Sequence, residues 1–201
     1  MLVTNLVILV IKLVMLVEFT KKIIKMEKYI FLDIDGVIAT PKSIEGIGGE
    51  WGIEDSKQEI LKKIIDSTGA KIVLSSSWRK WSVASTVEYM KENGFWFSDL
   101  IVGVTIRAYH YIDKKDKIHL SIPRGVEIHQ WIDTNIHSDN GKNWKRKKLG
   151  VDYQYVILDD DCDMLYIQRN NFIRTNGNIG LTEENCKLAI EILNKDCSIN
   201  D

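Results

Sequence analysis

The chain has 201 residues, 45% of them hydrophobic and 27% charged, with a formal net charge of -1. That length suits one domain, the apolar fraction excludes a disordered chain, and the balanced charge argues against nucleic-acid binding through a bulk basic surface, though not through a local patch. Three cysteines (Cys162, Cys186, Cys197) with no paired metal spacing argue against a disulfide framework or zinc site and point to a reducing, cytoplasmic setting.

The run LVTNLVILVIKLVMLV, Leu2 to Val17, is strongly apolar but carries Asn5 and Lys12. A bilayer span takes roughly 20 apolar residues, and a mid-span lysine costs about 2.5–3.5 kcal/mol. The positive charge before the run and the small residues after it that a secretory signal needs are both lacking. Met26 opens MEKYIFLDIDG, a natural start for a domain. Residues 1–25 are therefore read as an apolar extension of open role, and 26–201 as the functional domain. Membrane contact through 1–25 is the disfavoured alternative.

Beyond Met26, strands and helices alternate. Lys28 to Leu32 reads as a strand. Asp55 to Ser67 has helical spacing and Gly69 to stop it. Lys71 to Leu74 is a second strand, and Val83 to Asn93 a helix stopped by Gly94. Leu100 to Thr105 is a third strand, Gly125 to Thr134 a helix after Pro123, and Tyr153 to Leu158 a fourth strand. Asn171 to Thr175 is a short fifth strand. A closing helix spans Thr182 to Asn194, with Thr182 as N-cap and Glu184 or Asn185 in its first turn. This alternation predicts an α/β domain, a Rossmann-like three-layer sandwich around a central parallel sheet.

Three strand ends carry chemistry. The first is YIFLDIDG, where an apolar strand ends in Asp33 and Asp35 with Gly36 directly after. A D-x-D pair alone is a weak signal, but ligands of open α/β sheets sit at the carboxyl ends of strands. Two like charges so close need a cation or a shared proton, and Gly36 lets the backbone turn sharply. One carboxylate can attack phosphorus while its neighbour moves protons. The second is KIVLSSSWRK, a strand ending in Ser75, Ser76 and Ser77, whose hydroxyls and N–H groups can hold phosphate oxygens or cap the next helix. The third is YVILDDDCDM, a strand ending in Asp159, Asp160, Asp161 and Asp163, which suits Mg²⁺ or is a plain acidic loop.

With these stretches the sequence resembles the haloacid dehalogenase-like (HAD) phosphatase superfamily. FLDIDGVI looks like its first motif, IVLSSSWR its second and VILDDDCDM its fourth. The resemblance implies Asp33 as nucleophile, Asp35 as acid/base, and Ser76, with Ser75 as close competitor, as the second-motif hydroxyl. It implies Mg²⁺ held by Asp33, the Asp35 carbonyl, Asp159 and Asp160, with Asp163 as an outer partner. Arg124 is the third-motif cation, or a lysine within 142–148 replaces it. A narrower likeness, carried also by LIVGVT, RGVEI and GLT, is to the HAD phosphatase domain of Swiss-army-knife RNA repair proteins, over roughly Tyr29 to Leu193. The long stretches Arg107 to Ser121 and Ile136 to Asp152 depart from it.

The expected function is a Mg²⁺-dependent phosphohydrolase working through an aspartyl-phosphate. The alternative is a non-catalytic or signalling phosphate-binding module of the same fold. No inter-motif gap holds a large cap domain, so the open site suits a bulky phosphate ester such as a nucleic-acid end or a phosphoprotein and still admits small ones such as nucleotides, with no obligatory protein partner evident. GIGGEWG, Gly46 to Gly52, reads as a flap in which Trp51 stacks on a base or shields the site. NWKRKK, Asn143 to Lys148, reads as a solvated basic run or a track for a phosphate backbone. Trp78, Trp81, Trp96 and Trp131 are expected to pack in the core or at its rim, the first and last on helical faces. The four histidines show no ligand spacing.

Overall fold

The computed structural model describes residues 12, 26–41, 51–107, 109–113, 118–138 and 145–195; for residues 51, 109–113 and 118–121 only the backbone is described. In chain order the elements are β1 (Glu27–Leu32), β2 (Ala39–Pro41), β3 (Trp51–Ile53), α1 (Asp55–Thr68), β4 (Lys71–Leu74), α2 (Val83–Glu92), β5 (Ile101–Val104), β6 (Tyr109–Asp113), β7 (Ile118–Ser121), α3 (Arg124–Asn135), β8 (Tyr153–Asp159), β9 (Phe172–Arg174) and α4 (Glu183–Asn194). The expected extension 1–25 apart from Lys12, the flap residues 46–50, Asn143, Trp144 and Cys197 lie outside the described residues, as do the side chains of Trp51, His110 and His119. No helix among the described residues is long and apolar enough to cross a membrane.

Five strands form one parallel sheet in the order β5-β4-β1-β8-β9. From Tyr29 onward β1 is apolar because it is central and covered on both faces; Ile30, Phe31 and Leu32 have no exposed surface. All seven residues of β8 are buried for the same reason. The pleat divides β1 between two cores. Ile30 and Leu32 join Leu61 and Ile64 of α1, Met90 of α2, and Ala189 and Leu193 of α4 on one face. Tyr29 and Phe31 join Ile128 and Ile132 of α3 on the other. Trp131 of α3 meets both aromatic rings edge-on, with centroids 5.4 and 5.5 Å away. Each such side chain contributes roughly 1.5–3 kcal/mol by leaving water.

Helix boundaries follow local chemistry. Gly69 ends α1 in the left-handed region at φ 66°, where its N–H donates to the Ile65 carbonyl. Ser82 caps α2 and Thr182 caps α4, with Ser85 and Asn185 completing the boxes. Because Ser82 caps α2, the three serines after β4 are not that helix's cap.

Two antiparallel hairpins are added, β2–β3 and β6–β7. Neither was predicted. The β2–β3 strands are three residues each, too short for a period-2 pattern to register. The long stretch from Arg107 to Ser121 contains the β6–β7 hairpin.

Sheet register decides where the strand-end residues fall. Leu32 pairs with Leu74 on one side and Leu158 on the other. Asp33, Ser75 and Asp159 therefore stand one residue past a common line, at the carboxyl edge of three neighbouring strands. Two residues on from Phe31 and Ile157, Asp33 and Asp159 continue the face that carries α3.

Candidate active site

The edge of the sheet brings three carboxylates together. Asp33, Asp159 and Asp160 each offer an oxygen, all within 4.8 Å of one another. Asp33 is buried, and its Oδ1 accepts the N–H of Ile34 at 2.8 Å. Asp159 has no exposed surface; its Oδ1 accepts the N–H of Asp161 at 3.0 Å. Its Oδ2 finds no hydrogen-bond partner among the described residues. Asp160 is held between two glycines. A Cβ on Gly36 would fall 2.3 Å from the Asp160 Cγ, and one on Gly177 2.6 Å from its Oδ2. Gly36 also sits at φ 71°, so its small size and its backbone both serve the turn.

Arg124 opens α3 on the same face. Its Nη1 lies 3.7 Å from Asp33 Oδ1, and its Nε lies 4.0 Å from Asp159 Oδ2. Both distances are too long for direct hydrogen bonds, and Nη1 is buried with no hydrogen-bond partner among the described residues. The helix start is clipped to the loop after β8: Asp163 Oδ2 accepts the Arg124 N–H at 2.7 Å, and Gln168 Nε2 donates to the Gly125 carbonyl at 2.9 Å. Asp163 thus holds the arginine's backbone and is no member of the carboxylate trio.

Electrostatics follow from this packing. Burial raises the Asp33 carboxyl above its ordinary range, against the lowering effects of Arg124, the Ser76 hydroxyl and the Ile34 N–H. Burial, and then the charge of Asp33, push Asp159 up to about 7. Burial disfavours the Arg124 charge, but Asp33 and Asp159 outweigh it and hold the guanidinium protonated. Three carboxylates against one guanidinium leave the site short of positive charge. An all-oxygen donor set with an orphaned buried carboxylate oxygen fits a hard divalent cation such as Mg²⁺.

Asp35 faces elsewhere. Its carboxylate accepts the Trp78 ring N–H at 3.0 Å on Oδ1 and 3.1 Å on Oδ2, and the Ser77 hydroxyl at 3.3 Å. Its side chain is thus outside the trio. Of the three serines, Ser75 and Ser76 are buried. The Ser76 hydroxyl accepts the Trp78 N–H at 3.3 Å and lies near enough to Asp33 to favour its charged form. The Ser75 hydroxyl has no partner among the described residues, and Ser77 turns to Asp35.

Three residues were misread or missed. Trp78 was expected on a helical face; it lies in the turn after β4, where its ring packs on the core and its N–H serves Asp35. Trp81 was expected to pack and instead is fully exposed at 102%. Arg79 has no role assigned by the sequence motifs. It is buried, donating to the carbonyls of Ser75 (2.9 Å), Ser76 (2.7 Å) and Ile106 (2.8 Å) and pairing with Glu127 of α3 at 2.6 Å. It ties the serine loop to the helix that carries Arg124. An arginine one residue after an SSSW turn was the available signal. Lys145 to Lys148, the described part of the alternative cation run, lie at the opposite edge. There Lys145 and Lys147 bond His137 through their N–H groups, and Leu149 bridges to Tyr153, where β8 starts.

A family model described as the HAD domain in Swiss Army Knife RNA repair proteins matches residues 29–186. No curated protein matches the chain.

Proposed function

The chain belongs to the family of HAD domains found in Swiss Army Knife RNA repair proteins, and from that premise we propose a Mg²⁺-dependent phosphohydrolase that forms an aspartyl-phosphate and acts on nucleic-acid end phosphates. Membership implies a hydrolase of the phosphatase kind. One observation carries the finer reading. Beside buried Asp33, an orphaned carboxylate oxygen of Asp159 and an orphaned guanidinium nitrogen of Arg124 face the same space. One wants a cation and the other an anion, and a metal-bound phosphate satisfies both.

Asp33, Asp159 and Asp160, with the Asp35 carbonyl, would hold the Mg²⁺ ion, which when bound offsets the charge of the incoming phosphate. Asp33 is the nucleophile: the Ile34 N–H fixes its carboxylate, and one oxygen bonds to phosphorus as the ester oxygen leaves. Asp35, held by Trp78 and Ser77, gives its proton to that leaving oxygen. It then takes a proton from water. The water oxygen bonds to phosphorus, the bond to Asp33 breaks, and inorganic phosphate departs. Arg124 and the Ser76 hydroxyl hold the phosphoryl oxygens meanwhile, with Ser75 and Ser77 beside them. The activity is assigned to residues 26–201.

The test is phosphate release with Mg²⁺ and with EDTA, from glycerol phosphate, sugar phosphates, mononucleotides and 5′- and 3′-phosphorylated oligonucleotides. Asp33→Asn should abolish turnover on all of them. Mg²⁺-dependent turnover surviving in that variant refutes the nucleophile, and a stable protein phosphate without turnover points to the signalling alternative.

A further inference from the structure

We propose that the groove at the carboxyl ends of β4 and β5 binds the single-stranded nucleic-acid end that bears the reacting phosphate, with the Trp81 indole as its base platform. The inference rests on the phosphohydrolase reading of the neighbouring site. The groove encloses about 630 Å³, the size of a small-molecule site, and its lining includes Ser77, Lys80, Trp81, Thr105, Ile106 and Arg107.

Its position relative to the reacting groups is given by Ser77. That hydroxyl donates to Asp35 Oδ2 at 3.3 Å, and the same residue forms the groove wall. A substrate with its phosphate beside Asp33 and Arg124, and its leaving oxygen at Asp35, therefore continues into this groove.

Its chemistry selects the occupant. Trp81 is 102% exposed, an indole with its face open to solvent, and Ile106 beside it is also exposed. Lys80 and Arg107 supply positive charge, and no carboxylate lines the groove among the described residues. Both cations are held in place: Lys80 Nζ stands 3.4 Å from the Tyr89 ring centroid, and Arg107 donates to the carbonyls of Ser77 and Arg79. Thr105 adds an independent sign of a ligand. It is 2% exposed, and its hydroxyl has no hydrogen-bond partner among the described residues. A π-platform, cations beyond those at the reacting phosphate, and a waiting hydroxyl match a base, further phosphates and a ribose. A lone sugar phosphate has no use for the second cations, and a phosphopeptide has none for the platform.

The experiment is fluorescence anisotropy of a 5′-fluorescein hexathymidylate carrying a 3′-phosphate, with the full chain in EDTA so that no turnover intervenes. Trp81→Ala should raise Kd at least about 5-fold, and Trp81→Phe should restore most of the binding, since stacking tolerates either ring. Arg107→Ala should flatten the slope of log Kd against log salt by about 0.7 for each phosphate it no longer neutralises. With Mg²⁺, Trp81→Ala should lower the ratio of kcat/KM for the oligonucleotide to that for glycerol phosphate by the same factor. A Kd for Trp81→Ala within about twofold of wild type overturns the proposal, being less than one stacked base is worth. So does a phosphoserine peptide that competes as well as the oligonucleotide. Trp81-dependent binding in a chain that releases no phosphate supports the groove and sinks the phosphohydrolase reading instead. Turnover of glycerol phosphate without oligonucleotide binding sinks the groove alone.

Discussion

Glu127→Gln removes the charge that faces the buried guanidinium of Arg79, with little change of shape. The pair's side chains are 6% and 7% exposed and 2.6 Å apart, so solvent screens them poorly. Removing one partner of a buried pair costs about 3–5 kcal/mol, because the other charge stays buried without its counterion. Glutamine keeps a carbonyl that can accept a neutral hydrogen bond, which returns about 1 kcal/mol. A loss of about 3 kcal/mol is therefore expected, from a total stability of about 5–15 kcal/mol. At about 2–4 °C per kcal/mol for a chain of this size, Tm falls by about 6–12 °C. Arg79→Met should lose more, since it takes the guanidinium from Glu127 and also removes the donors to the Ser75, Ser76 and Ile106 carbonyls. Thermal melts and urea midpoints at unchanged m-value measure this. Glu127→Gln should also lose roughly ten- to hundredfold in kcat/KM while folded, because the latch sets Ser76 against Arg124 and small misplacements weaken catalysis. A Glu127→Gln variant within about 1 kcal/mol of wild type, as an exposed pair would give, refutes the latch.

Gly36→Ala places a Cβ 2.3 Å from Asp160 Cγ at φ 71°, so it should lose about 1–2 kcal/mol to backbone strain and weaken metal binding as Asp160 is displaced; calorimetric Mg²⁺ titration identical to wild type would count against it. Mg²⁺ at about 100 times its Kd should raise stability by about 2.7 kcal/mol, and Asp159→Asn should abolish that rise; an undiminished rise in the variant removes Asp159 from the ligand set. In EDTA the sign of the pH effect follows from Asp159, which burial and then Asp33 push up to about 7. The folded carboxyl holds its proton where the unfolded one, at about 3.9, has lost it. The stabilisation is full below about pH 4 and lost as pH rises toward 7, so this group lowers Tm across that window; a slope of Tm against pH that Asp159→Asn leaves unchanged there contradicts the raised carboxyl. Trp78→Phe keeps the ring and removes the N–H that Asp35 accepts at 3.0 and 3.1 Å. It should lower kcat about tenfold with KM within about twofold; a KM effect alone would make Trp78 a binding residue.

The order of strands and helices could be read from hydrophobic periodicity, because a sheet covered on both faces demands continuous apolar strands such as YIFL and YVIL. The strand-end aspartates and serines were legible too, since a charged or hydroxyl residue directly after a buried strand has few places to go but the sheet's edge. Pairing register is a different kind of information. That Leu32 stands opposite both Leu74 and Leu158, and so levels Asp33, Ser75 and Asp159, depends on how three distant segments align. Arg79, Trp78 and Trp81 look alike in a short polar turn. Their fates diverge because the first turn of α3, the core under α2 and open solvent all border that one loop. Burial, hydrogen-bond partners and the sharing of a charge are set by neighbours remote in the chain, and local pattern carries no record of them.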